Sequence, residues 1–256
     1  MIRAIVFDLF DTLVDQNHER LAPVMVEGRK FGATTPALHA YLTEKAGVEL
    51  SLPVFADRLR EIDEALRVET IDQGIELPTR DRFTALATHL GCAEVLSVAA
   101  DLTEVHMSQL REAASTPAHH EAVLMSLATN YKLGVCSNFT HAESARAVLS
   151  EAGLDRHMSS IVISEEVGIR KPRAEIFEAM VDSLDVPARE ILHVGDSLTA
   201  DVAGAAGLGM HTLWLTRQIR DPEGEFARYA GPRPDVSIED LMDLPVTVAR
   251  FGSGAR

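Results

Sequence analysis

The chain has 256 residues, 46% of them hydrophobic, enough to bury a sizeable core either as one large domain or as a core carrying a smaller insert. A formal charge of −15 opposes binding to nucleic-acid phosphates or to anionic lipid, and leaves room only for a local basic pocket that takes a small anion. Two cysteines, Cys92 and Cys136, are too few for a disulfide framework. No export signal opens the chain and no apolar run approaches the roughly 20 residues that cross a bilayer, so a cytoplasmic protein off the membrane is expected.

The first element is RAIVF at 3–7, a β-branched and aromatic run that predicts a strand. From about 16 to 115 the pattern is helical: LAPVMVEGRKF, PALHAYLTEKAG, PVFADRLREIDEALRVE, RDRFTALATHLG and AEVLSVAADLTEVHMSQLREA all read as amphipathic helices. A hundred helical residues are too many for one crossover, so 16–115 is predicted to be an inserted helical domain and 1–15 with 116–256 the core. Further strands are predicted at 133–136 (LGVC), 161–163 (IVI), 191–194 (ILHV) and 212–215 (TLWL), with helices at 141–152, 173–184 and 199–207 between them. Continuous apolarity in alternation with helices predicts an α/β fold, a Rossmann-like parallel sheet covered on both faces. In the tail, PDVSIEDLMDL predicts a last strand and a capping box, Ser237 to Asp240, that starts a helix.

Ligands of open parallel sheets gather at the carboxyl ends of the strands. Asp8, Asp11 and Thr12 follow the first strand and Ser137 and Asn138 the second. Arg170 and Lys171 precede the helix at 173, and Gly195, Asp196, Ser197 and Asp201 follow ILHV. This set supplies an Asp nucleophile, a hydroxyl, a fixed cation and paired carboxylates. Asp8 and Asp196, with a backbone carbonyl, form a hard oxygen set suited to Mg²⁺. His119, His120 and His193 have no carboxylate or cysteine at metal-ligand spacing and so no expected role, and Cys136 reads as a small buried hydrophobe.

On FDLFDTLV, VCSN, RKP and GDSLTAD, four motifs in order, the chain resembles the haloacid dehalogenase (HAD) superfamily of hydrolases, in the branch whose α-helical cap is inserted between the first and second motifs. The resemblance implies that Asp8 forms a covalent aspartyl intermediate, with Lys171 orienting it and Ser137 binding the transferring group; by their place at the strand ends, Asn138 and Thr12 are further expected substrate-binding residues. It implies a Mg²⁺ site of Asp8, the backbone carbonyl at Phe10, Asp196 and Asp201, the last behind the ion or through water. A small, anionic, phosphorylated metabolite is the expected substrate.

Family phosphatases carry a general acid two residues after the nucleophile, where this chain has Phe10. Asp11 is the candidate replacement. An aromatic residue at that position resembles the metal-independent 2-haloacid dehalogenases, the alternative function, whose halide-binding arginine would be Arg29, Arg58 or Arg60. Against that alternative, GDSLTAD keeps both acids. A weakly active or non-catalytic ligand-binding member is the third reading.

Overall fold

The structure is a computed structural model that describes residues 1–252. It forms two compact units, Met1–Asp15 with Ser115 onward, and Gln16–Ala114. The first holds a six-stranded sheet of β1 (Ala4–Phe7), β2 (Lys132–Ser137), β3 (Ser160–Ile163), β4 (Ile191–Gly195), β5 (His211–Leu215) and β6 (Val236–Ile238). The spatial order is β3-β2-β1-β4-β5-β6 and each pairing is parallel. Every residue of β1 and β4 is buried, which is why these runs are apolar without alternation.

The chain steps from β1 to β2 and β3, then returns to the other side of β1 for β4. Strand order therefore reverses beside β1, and the carboxyl ends of β1, β2 and β4 flank that switch point. The helix Ala174–Leu184 lays Ile176, Phe177, Met180 and Leu184 on Ala4, Val6 and Cys136. Fully burying a ring such as Phe177 stabilises the core by about 1.5–3 kcal/mol. Gly204 permits this packing, since a Cβ there would stand 2.4 Å from Phe177 Cε2. The helix expected at 199–207 opens instead with a wide π turn, Leu198–Val202, before regular helix at Ala203–Gly207.

The second unit packs helices Thr35–Lys45, Leu52–Glu69, Thr79–His89 and Val95–Glu112 around Leu38, Phe55, Phe83, Leu86 and Leu102. Here one expectation fails. LAPVMVEGRKF is not a helix: Val24–Val26 and Arg29–Phe31 pair antiparallel as a hairpin. Glu27 and Gly28 both take positive φ (49° and 79°), the geometry of a tight primed turn that matches strand twist. A second correction concerns the tail. Ser237 lies inside β6 and caps nothing, whereas the Asp240 carboxylate accepts the Met242 N–H (2.8 Å) and caps the short turn Leu241–Asp243. The helix follows at Leu244–Gly252. Among the described residues no helix is long and apolar enough to cross a membrane.

Candidate active site

Asp8 directly follows β1, and its N–H donates to the Val194 carbonyl of β4 (2.9 Å), which fixes the residue to both strands at the switch point. Its buried carboxylate meets Lys171, whose Nζ donates to Asp8 Oδ1 (2.6 Å), Asp201 Oδ1 (2.7 Å) and the Cys136 carbonyl (2.8 Å). An ammonium has three donors, and all three are used. Burial works against the charge on Lys171, but the Asp201 and Asp8 carboxylates outweigh it and hold the group above the ordinary lysine value. Asp8 is shifted up, by burial first, with Lys171 opposing and Asp201 adding to the rise.

Asn138, expected to touch substrate, is engaged with Lys171. Its Oδ1 accepts the Lys171 N–H (2.7 Å) and its Nδ2 donates to the Lys171 carbonyl (3.0 Å), so the carboxamide clamps the main chain that carries the ammonium. The Lys171–Pro172 peptide bond is cis. Thr12, also expected to bind substrate, is wholly buried, and its hydroxyl has no hydrogen-bond partner among the described residues. Ser137 ends β2, one strand from β1, and is nearly enclosed.

Asp201 is the hub of the site. Oδ1 receives both Lys171 and His193 Nε2 (2.9 Å), and Oδ2 receives the Ser197 N–H (3.0 Å). With four lone pairs on a carboxylate and three engaged, one remains, on Oδ2. These bonds make Asp201 chiefly a positioning group for Lys171 and the 196–197 turn, in keeping with a place behind the ion rather than as a full ligand. Burial opposes its ionisation, but Lys171 and His193 pull its pKa far below the usual carboxylate range. A Cβ on Gly195 would lie 2.3 Å from Asp201 Cγ, so only glycine admits the carboxylate there.

Asp8, Asp196 and Asp201 offer ligand oxygens within 4.8 Å of one another. Three carboxylates face one ammonium, leaving negative charge in a buried place. Asp196 bears the consequence: burial, then the charges of Asp8, Asp201 and Asp11, push it up to about 8. A hard divalent cation relieves that strain, and the all-oxygen donor set fits Mg²⁺. Phe10 could join a metal only through its main-chain carbonyl. Its ring packs against Phe139 with centroids 4.7 Å apart.

Asp11 takes φ +59°, the left-handed region that glycine occupies most easily, and its N–H donates to the Val14 carbonyl (2.6 Å). The cap arginines are engaged locally: Arg29 and Arg60 with Asp57 (3.2 and 3.3 Å), Arg58 with Glu61 (3.0 Å).

Two residues of the site escaped sequence reasoning. His193 lies in β4 and orients Asp201, and its only signal was a lone polar residue inside a buried strand. Trp214 Nε1 donates to the Asp196 carbonyl (2.7 Å) and had no signal at all. Cys136 lends its carbonyl alone, and burial pushes its thiol up to about 12.

The profile of haloacid dehalogenase-like hydrolases matches residues 2–209. The pyrimidine 5′-nucleotidase YjjG of Escherichia coli K12 is 32% identical over 126 residues, covering 48% of this chain and 55% of that protein, so the chain spans about half of that relative's length. The 5-amino-6-(5-phospho-D-ribitylamino)uracil phosphatase YigB of the same organism is 27% identical over 260 residues, 95% of this chain and 94% of that protein. The crystal structure of a 2-haloacid dehalogenase from Pseudomonas syringae pv. Tomato DC3000 superposes with a TM-score of 0.76 at 25% identity, over 98% of this chain and 100% of that one. Phosphatases and dehalogenases thus both stand among its relatives.

Proposed function

The chain belongs to the haloacid dehalogenase-like hydrolase family, and from that premise we propose that it is a Mg²⁺-dependent phosphatase of a small phosphorylated metabolite, working through a covalent intermediate on Asp8. The observation that carries this reading is the carboxylate cluster Asp8, Asp196 and Asp201 with one buried ammonium among them. Three acids repel any anionic substrate unless a cation sits between them, so the cluster suits a Mg²⁺-dependent phosphatase and hampers a metal-independent haloacid site.

In this mechanism the Asp8 carboxylate attacks phosphorus, forming a P–O bond as the bond to the leaving oxygen breaks. Water then attacks phosphorus and returns the carboxylate. Lys171 keeps Asp8 oriented and offsets the charge that burial disfavours. Asp8, Asp196 and the Phe10 carbonyl, with Asp201 behind them, would hold Mg²⁺, which would supply charge neutralisation on the phosphoryl oxygens. Ser137 binds a phosphoryl oxygen, and Asn138 acts only through Lys171. Asp11 takes the acid's place that Phe10 vacates, and substrates with good leaving groups need it least. The helical unit, as the cap, selects the substrate.

Phe10 itself favours a second reading, metal-independent 2-haloacid dehalogenation, because halide departs without a proton and an apolar ring pair suits it. Incubation with p-nitrophenyl phosphate and with 2-chloropropionate, each with and without EDTA, separates the two. Phosphate release abolished by EDTA supports the proposal, and EDTA-resistant chloride release without phosphate release overturns it.

A further inference from the structure

Away from the carboxylate cluster, His119, His120 and Asp240 each bring one ligand atom to within 4.8 Å of the others. Asp240 lies 121 positions along the chain from His119, which is why spacing gave no hint of the cluster. His120 is wholly buried at the start of the helix His120–Ala128. Its Nδ1 is 2.8 Å from the Leu13 carbonyl, which can only accept, so Nδ1 carries the proton of the neutral ring and Nε2 carries the lone pair. That Nε2 is buried without a hydrogen-bond partner. Leaving such a group unmatched is costly, and the same arrangement, one imidazole nitrogen tied to a carbonyl with the other free, is how proteins present histidine to metals.

His119 Nε2 stands 2.7 Å from Asp240 Oδ1, and the two imidazoles sit edge to face with centroids 4.7 Å apart. Side chains of His119 and Asp240 are each 32% exposed, which provides a path from solvent. Burial keeps His120 neutral, and Asp240 stays ionised because the Met242 N–H and His119 outweigh its own burial. The nearby Arg217 is paired with Asp15, so its charge is matched.

We propose that His119 Nε2, His120 Nε2 and an Asp240 carboxylate oxygen form a site for a borderline divalent transition metal of the Zn²⁺ class, with a fourth position open to water. Metal–ligand bonds of about 2.0–2.1 Å set tetrahedral ligands about 3.3 Å apart. From 2.7 Å, His119 and Asp240 must therefore separate by about 0.6 Å. The proton between them leaves to solvent as the metal enters. The ion ties the helix start to the turn after β6 and, through the Leu13 carbonyl, steadies the loop that leads away from Asp8. Nitrogen ligands distinguish this site from the all-oxygen active site, which favours Mg²⁺.

The test is equilibrium dialysis of metal-stripped full-length protein against Zn²⁺ in excess Mg²⁺, with Co²⁺ titration read by its visible d–d band as the second probe. Wild type and Asp196→Asn each bind one tight equivalent, and thermal unfolding rises on Zn²⁺ addition. His119→Gln changes a partly exposed side chain, and Asp240→Asn retains an oxygen for the Met242 cap; each weakens binding at least about tenfold while folding normally. No saturable Zn²⁺ in wild type, unchanged affinity in both variants, or loss of binding in Asp196→Asn overturns the proposal. The last outcome would place the ion in the active site. None of these outcomes depends on whether the enzyme is a phosphatase.

Discussion

Replacing Gly195 with alanine puts a methyl where the Asp201 carboxylate now lies. The added Cβ would stand 2.3 Å from Asp201 Cγ, 2.4 Å from Oδ2 and 2.6 Å from its Cβ. Carbon atoms are comfortable at about 3.5–4.0 Å, so the contact is short by more than about 1 Å. Asp201 cannot retreat without loosening Lys171, His193 or the Ser197 N–H, and Lys171 in turn holds Asp8. A displacement of about 1 Å in a catalytic assembly lowers turnover by about 10²-fold, and overpacking a rigid site lowers stability by about 1–3 kcal/mol. Both quantities are accessible, the first from Mg²⁺-dependent hydrolysis of p-nitrophenyl phosphate and the second from urea unfolding. The double variant Gly195→Ala/Asp201→Ala locates the cause. Once the carboxylate is gone, the extra methyl should change stability by less than about 0.5 kcal/mol relative to Asp201→Ala alone. An equal loss in both backgrounds, or a Gly195→Ala enzyme of normal turnover, would refute the view that Asp201 is locked over that glycine.

Phe10→Asp restores an acid two residues after the nucleophile and is expected to raise phosphatase turnover, with the roughly 10²–10⁴-fold worth of general acid catalysis as the ceiling; no gain would assign the proton to Asp11 or to the substrate. Asp196→Asn should abolish Mg²⁺-dependent turnover yet stabilise the metal-free protein. The Asp196 pKa is raised from 3.8 to about 8, so its ionisation opposes folding, and the variant's advantage in urea should widen across that window and level off above it. The Asp15 carboxyl sits below its ordinary 3.8, burial being outweighed by bonds from Arg217 and Gln218. Its contribution is therefore present above 3.8 and lost as pH falls through the depressed value. Arg217→Met should lower stability near neutral pH by about 1 kcal/mol, after allowance for partial solvent screening, with a gap that closes in acid.

The strands were legible because β1, β2 and β4 are buried on both faces and their apolar runs have no other use. Asp8, Lys171, Asp196 and Asp201 were legible as polar residues at the ends of those runs, and they do converge. What stayed hidden is of another kind. The hairpin at 24–31 carries enough apolar residues to mimic a helical period, and its true signal is the pair of positive φ angles at Glu27 and Gly28. Asn138, His193 and Trp214 act on groups 33, 8 and 18 positions away through single hydrogen bonds, and no local pattern encodes such a partnership. Thr12 looked like a ligand contact from position alone, while the fold encloses it completely.

The measurement closest to the central claim is a turnover in heavy-oxygen water followed by mass spectrometry of the released product and of the peptide bearing Asp8. Water attacking phosphorus in an aspartyl phosphate leaves its oxygen in the product, whereas water attacking the carbonyl of an aspartyl ester leaves it in the carboxylate. The account predicts labelled phosphate and an unlabelled Asp8. Label in the Asp8 side chain, accompanied by chloride from 2-chloropropionate, would contradict it.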